Sequence, residues 1–426
     1  MSDPRPLTTP SSVPAAESGA QPGYPNTSVL TPPTSPRQNR SSSNISNIAL
    51  PFSAPHAQPI ASPLKSRGGN LDPIQTNIYH RHSPAETRVP HCPFEIRILK
   101  DHQDRDAIFG TGAWSVVYKG TTHTKASTIS GSLTPPQSPT VTTPVLVAVK
   151  KPARRDATTV LESEAQVLQY LHTIPESEKY IVPFYGVIDE ATLILEALPF
   201  SLEDHIRKCA VAASHTLSTW TMSEPIIGGS AKWLHLAKQL ISALAWLHTE
   251  AEVVHGDIKP GNILLAYIRG SSEHDVDRGL TFEPVFADFS SAQLLNRDET
   301  TPNTLSALTR EYTAPELLSS KVLHDPSATA TTASDVFSLA VTLLVAATGQ
   351  MLVYPGSVFQ RQAMATQGWL VLNHIRNGEQ GARVPRMGIV ERVVERAVLK
   401  ADMGRVNAQQ WWEIVEGVGK GEPMKL

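Results

Sequence analysis

The loop His255-Gly256-Asp257-Ile258-Lys259-Pro260-Gly261-Asn262 places a carboxylate, an ammonium two residues later and an amide five residues later in one short stretch. Such a trio offers a proton acceptor, a cation for a phosphate and an oxygen for a metal ion at one place. A chance Asp-x-Lys turn is common, so the trio gains meaning only from its company. Ala287-Asp288-Phe289-Ser290 sets a second carboxylate at the end of a short β run, where it suits Mg²⁺. Upstream, Gly110-Thr111-Gly112-Ala113-Trp114-Ser115-Val116-Val117 has the glycines of a strand–turn–strand whose backbone N–H groups can approach phosphates with no Cβ in the way. Taken alone, that motif is more often a plain hairpin. In Val147-Ala148-Val149-Lys150 a period of two turns Lys150 to the same face as Ala148. A lysine on an apolar face needs an anionic partner, unless the strand is a solvated edge. Across 160–171, Leu161, Leu168 and Leu171 form one helical stripe with Glu164 between them, while Glu162 projects almost opposite. Glu164 is therefore the expected partner of Lys150, in a pair that by itself could be purely structural.

The elements that must position these groups fall into two kinds. Short β-rich runs come first, at 94–99, 113–119, 145–150, 181–187 and 192–198, interrupted by one helical pattern at about 157–172. After Leu202 the chain is mainly helical with turns, and Leu234, Ala237, Leu240, Ile241, Leu244 and Leu247 share one helix face. The expected fold class is α+β, with a small β-rich lobe and a larger helical lobe. The apolar run 337–347 is about half the roughly 20 residues that span a bilayer, so a buried helix is expected there.

Residues 1–90 hold 16 of the 34 prolines, 14 serines and 7 threonines but only three aromatics. Too little apolar surface is available there to offset ordering entropy, so a disordered tail is expected over 1–93. Residues 94–426 are expected to form one domain, with an N-lobe at 94–197 carrying an inserted loop at 121–144, and a C-lobe at 198–426. Thr9, Thr31, Ser35, Ser62 and Ser83 precede prolines in the tail, as do Thr134, Ser138 and Thr143 in the inserted loop, so both are open to proline-directed kinases. Arg269 to Gly279 reads as a surface loop. The net charge of −3 gives no reason to expect nucleic acid or an anionic membrane as partner. Cys92 and Cys209 fit neither a disulfide framework nor a zinc pattern, and two lone thiols suit an intracellular location, cytoplasm or nucleus. No secretory signal is seen at the N-terminus, and a monomer is expected.

The ordered set of motifs resembles the eukaryotic protein kinases, of the serine/threonine type, over about residues 94–420. The resemblance implies ATP and Mg²⁺ as cofactors and a protein as substrate. It implies that Gly110 and Gly112 cover the phosphates, that Lys150 holds them with Glu164 as its partner, and that Val117, Ala148 and Leu264 sandwich the adenine. Leu195 falls at the gatekeeper position, and Glu196 to Leu198 would be the hinge whose backbone reads the adenine edge. Asp257 is implied as the catalytic aspartate, Lys259 as the cation on the γ-phosphate, and Asn262 and Asp288 as metal ligands. Thr309 and the run Glu311 to Glu316 resemble the end of an activation segment. By the same resemblance Glu316 would pair with Arg405, and Asp335 would open the buried helix that anchors the catalytic loop.

Three positions depart from the family pattern. Ser115 replaces the third loop glycine, Gly256 stands where many members have arginine, and Ser290 follows Asp288-Phe289 in place of glycine. The loss of that arginine implies that Thr300, Thr301, Thr304 and Ser306 need not be phosphorylated for the loop to fold. The alternative to an active enzyme is a catalytically weak scaffold that binds ATP or protein. All of the charged groups that the chemistry needs are nevertheless present.

Overall fold

The computed structural model describes residues 89–123, 144–215, 218, 221–267, 282–295, 309–325 and 327–420, all within the unit Tyr79–Leu426. The Ser and Thr residues that precede prolines, the stretch Arg269 to Gly279, and Thr300, Thr301, Thr304 and Ser306 lie outside the described residues.

The first lobe is an antiparallel sheet of β1 (Glu95–Ile98), β2 (Ile108–Thr111), β3 (Ser115–His123), β4 (Leu146–Pro152), β5 (Phe184–Val187) and β6 (Leu193–Glu196). The strand order is β1-β3-β4-β6-β5, with β2 also paired to β3. The alternation of β4 sends Val147 and Val149 into an apolar cluster with Cys92 and Ile194, which leaves Ala148 and Lys150 for the opposite face. One helix, α1 (Thr158–Leu171), packs on the sheet and buries Leu161, Glu164, Ala165, Leu168 and Leu171. Its buried stripe is the one that the leucine spacing predicts, carboxylate included.

The boundary expected between tail and domain needs correction. Residues 90–92, assigned to a disordered tail over 1–93, are bonded to the outer edge of β5. Cys92 donates its N–H to Val187 O at 2.7 Å, and Val187 donates in turn to Pro90 O at 2.9 Å. Cys92 is buried, and Gly186 takes φ +108 where any Cβ would lie 2.4 Å from Pro90 O. A proline at 90 and another at 93 read as linker, yet prolines are tolerated at a sheet edge, where fewer donors are needed.

The second lobe contains β7 (Phe200–Ser201), α2 (Leu202–His215), α3 (Gly229–Thr249), β8 (Val253–Val254), β9 (Ile263–Tyr267), β10 (Phe282–Phe286), β11 (Gln293–Leu294), α4 (Thr332–Thr348) and α5 (Ala408–Lys420). Thr331 and Ser334 form a capping box that starts α4, and Gly349 at φ +78 ends it. From Ser334 to Thr348 every residue of α4 is buried, so the apolar run is a core helix. The indole of Trp233 on α3 donates to Leu343 O of α4 at 2.9 Å. No described helix is long and apolar enough to cross a membrane.

Candidate active site

The β9–β10 hairpin pairs Ile263 with Phe286, so the residues just outside it meet, and Ala287 donates its N–H to Asn262 O at 2.9 Å. That pairing brings the loop of Asp257 beside Asp288. Between the lobes lies a cleft of about 560 Å³. Gly110, Gly112, Val117, Ala148, Lys150, Leu195, Glu196, Leu198, Leu264, Asn262 and Asp288 all line it, whereas Glu164, Asp257 and Lys259 do not. Ser201, Glu203 and Asp204 line its mouth as well. Nothing in their spacing marks them out.

Lys150 is 4% exposed. Its ammonium donates to both oxygens of Glu164 at 2.7 Å and to Asp288 Oδ1 at 2.7 Å. Glu164 Oε1 also accepts from the Phe289 N–H at 3.1 Å. Burial works against the charge on Lys150, but Asp288 and then Glu164 outweigh it and hold the ammonium above the usual lysine range. Burial would likewise raise the Asp288 carboxyl, yet Lys150 overcomes this and holds it well below the ordinary range, with help from the Ser290 hydroxyl. Asp288 sits in the left-handed region at φ +60, while Ser290 is not among the positive-φ residues. The local strain therefore falls on the carboxylate residue, and serine replaces the family's glycine without backbone strain.

In the neighbouring loop, Lys259 donates to Asp257 Oδ2 at 2.5 Å and to Thr309 Oγ1 at 3.1 Å. Thr309 donates to Asp257 Oδ1 at 3.1 Å. Asn262 donates through Nδ2 to Asp257 O at 2.9 Å and Oδ2 at 3.1 Å, so its other polar atom, Oδ1, is an acceptor. Burial pushes the Asp257 carboxyl above its ordinary value, with Lys259 pulling the other way.

One buried carboxylate fixes this loop. Asp335 at the start of α4 accepts from His255 N at 2.7 Å, from Gly256 N at 3.0 Å and from His248 Nε2 at 3.1 Å. The His255 ring lies between the two loops. It accepts from Asp257 N at Nδ1, 3.4 Å away, and faces Ala287 O through Nε2 at 3.1 Å. Gly256 has φ +80, and a Cβ there would meet Ser291 O at 2.5 Å. The glycine is thus required by its own backbone geometry, a reason invisible in the sequence.

The segment after Thr309 is held by a long-range pair. Arg405 donates through Nη1 to Glu316 Oε1 at 2.5 Å and through Nη2 to Oε2 at 3.0 Å. It also donates to Leu399 O at 2.7 Å and Ala333 O at 2.8 Å. Among the described residues no three His, Cys, Asp or Glu side chains cluster as a metal site. Asn262 and Asp288, which line the cleft, carry oxygens of the kind a hard divalent cation takes.

Comparison with known proteins gives a match of residues 139–388 to the model of the protein kinase domain. The serine/threonine-protein kinase ISR1 of Saccharomyces cerevisiae is 33% identical over 196 residues, 43% of this chain and 40% of that protein. The ISR1 kinase of Eremothecium gossypii is 29% identical over 191 residues, covering 40% and 45%. A probable receptor-like protein kinase of Arabidopsis thaliana is 29% identical over 262 residues, covering 60% and 43%. The chain thus spans less than half the length of these relatives.

Proposed function

The chain belongs to the protein kinase domain family, and from that premise we propose that it transfers the γ-phosphoryl group of ATP to serine or threonine residues of a protein. The observation that supports the reading is that Lys150, Asn262 and Asp288 line one cleft while Glu164 is bonded to Lys150, and Asp257, itself bonded to Lys259, is bonded to Asn262. Phosphoryl transfer needs little covalent help, so positioning and charge neutralisation do most of the catalysis.

Lys150, kept charged by its two carboxylates, holds the α- and β-phosphates below the Gly110 and Gly112 backbone. Val117, Ala148 and Leu264 enclose the adenine, and the backbone of Glu196 to Leu198 reads its edge. Asn262 and Asp288 would hold Mg²⁺, which when bound neutralises charge on the phosphates. Asp257 orients the substrate hydroxyl and accepts its proton. Its raised pKa, from burial, makes it a better base than a solvated aspartate. Lys259, tethered by Asp257 and Thr309, meets charge that builds on the transferred group. The Thr309 hydroxyl, a hallmark of serine/threonine members, braces both.

We assign the whole of 89–420 to this catalytic domain, although the family match begins at 139. The glycine loop precedes the match but shares a sheet with the strand of Lys150. An intracellular setting accords with the free thiols of Cys92 and Cys209.

The test uses the full chain with Mg²⁺·ATP and a basic protein substrate, beside Lys150→Met and Asp288→Asn. Transfer that falls by about 100-fold or more in both variants supports the enzyme. Nucleotide binding without transfer in the wild type would point to the scaffold instead.

A further inference from the structure

Strand β5 is the sheet edge, and its outward donors must find partners outside the sheet. The Val187 N–H is taken by Pro90 O at 2.9 Å. The Phe184 N–H is taken by a side chain, His172 Nε2, at 3.2 Å. His172 stands directly after α1, and its Nδ1 lies 2.8 Å from Leu168 O on the last turn of that helix.

These two contacts fix the chemistry of the ring. A backbone N–H only donates, so Nε2 accepts and carries no hydrogen. A carbonyl only accepts, so the hydrogen is on Nδ1. His172 is therefore neutral, in one tautomer, and bridges the end of α1 to β5. Its ring also leans on Phe184, with centroids 6.2 Å apart.

At this end of α1 the Tyr170 hydroxyl donates to Ala251 O at 3.1 Å, and His172 is the tie to the sheet. The Ala157 N-cap of α1 makes no side-chain capping bond. Glu164 lies eight positions before His172, about 12 Å along the helix at 1.5 Å per residue. Any slide or tilt of the α1 end is passed along a rigid rod to that carboxylate. The strand on the other side of the tie is itself braced, because residues 90–92 clasp β5 at Val187 and close against Gly186.

We infer that His172 is a positioning residue for the Lys150–Glu164 pair, holding α1 to an edge strand pinned by the segment just before the sheet. The inference rests on the reading that this pair orients nucleotide phosphates. His172 touches neither nucleotide nor substrate, and acts only through the helix.

The two bonds can be separated by side-chain reach. In His172→Gln the amide extends to the place of Nε2 and can still accept from Phe184. In His172→Asn it reaches only as far as Nδ1 and can satisfy Leu168 O alone. Both variants are made in the full chain, with Glu164→Gln as reference. Steady-state rates against ATP and calorimetric binding of ADP with Mg²⁺ are measured for each. The expected result is a KM for ATP and an ADP dissociation constant raised about tenfold by His172→Asn and less than threefold by His172→Gln. Adding His172→Asn to Glu164→Gln should then cause no further loss, because the two act through one contact. The inference is overturned if both His172 variants match the wild type, if both lose equally, or if the Asn effect is undiminished in the Glu164→Gln background. A wild type that binds ADP but transfers nothing refutes the proposed function, and the ADP series alone then decides the role of His172.

Discussion

Two groups of charge meet beside Asp288, and they are assembled in opposite ways. Lys150, Glu164 and Asp288 arrive from three elements, the first and last 138 positions apart, and touch only through side chains. Asp257 and Asn262 are five positions apart, and the backbone just before them is bolted to Asp335. The first group exists only when the helix and both lobes are in register. The second is held by neighbours within its own lobe, with Asp335 bonded to the backbone and Thr309 and Ala287 bonded to the loop from the other side. Control by movement of elements should therefore act on the first group, and damage to the core should act on the second.

The sharpest way to break that contrast is Asp335→Ala, which strands buried donors on His255, Gly256 and His248. We expect a loss of about 3–5 kcal/mol in urea unfolding. A loss below about 1 kcal/mol would mean that the contacts to Thr309 and Ala287 hold the loop without Asp335. Lys150→Met should cost less, about 1–3 kcal/mol, because Asp288 keeps access to solvent and Glu164, pushed up by burial, can take a proton once the ammonium is gone. Asp257→Asn should by contrast leave stability within about 1 kcal/mol while transfer drops at least 100-fold. Gly256→Ala probes the backbone alone, and its Cβ should cost about 1–3 kcal/mol by thermal melting.

The pH profile divides the groups in another way. As the proposed base, Asp257 would have to be unprotonated to accept a proton, and its pKa is raised by burial. Transfer should therefore fall as pH drops, with a midpoint above the usual aspartate value. Asp288, held low, stays ionised through that range. Its contribution to folding is full above the unfolded aspartate value and is lost only as pH falls through the depressed one. A transfer rate flat to pH 4 would remove Asp257 from the role of base. The smallest effect should come from Arg207→Ala, which breaks an exposed pair with Glu203 and should shift stability by less than about 0.5 kcal/mol.

Much of the site was legible before the fold, because charged residues with no structural excuse stand out at fixed offsets. Glu164 could be chosen over Glu162 because a carboxylate on a leucine stripe must face inward. The strand of Lys150 could be oriented because its neighbours alternate. What stayed hidden depends on backbone groups, which every residue shares. The clasp of residues 90–92 uses a carbonyl and an N–H, so a proline-flanked segment gave no sign of it. Gly256 looked like a missing arginine, when its conformation and the carbonyl of Ser291 leave no room for any side chain. His172 carried no motif, since its two partners are main-chain atoms on separate elements.

The clamp between Glu316 and Arg405 has a genetic consequence. Glu316 has the guanidinium as its counterpart, whereas Arg405 also serves the carbonyls of Leu399 and Ala333. Exchanging the two charges would restore the attraction yet abandon both carbonyls. A screen for suppressors should accordingly find none at position 405 for a lesion at 316, and inheritance would treat the two sites as a one-way dependency.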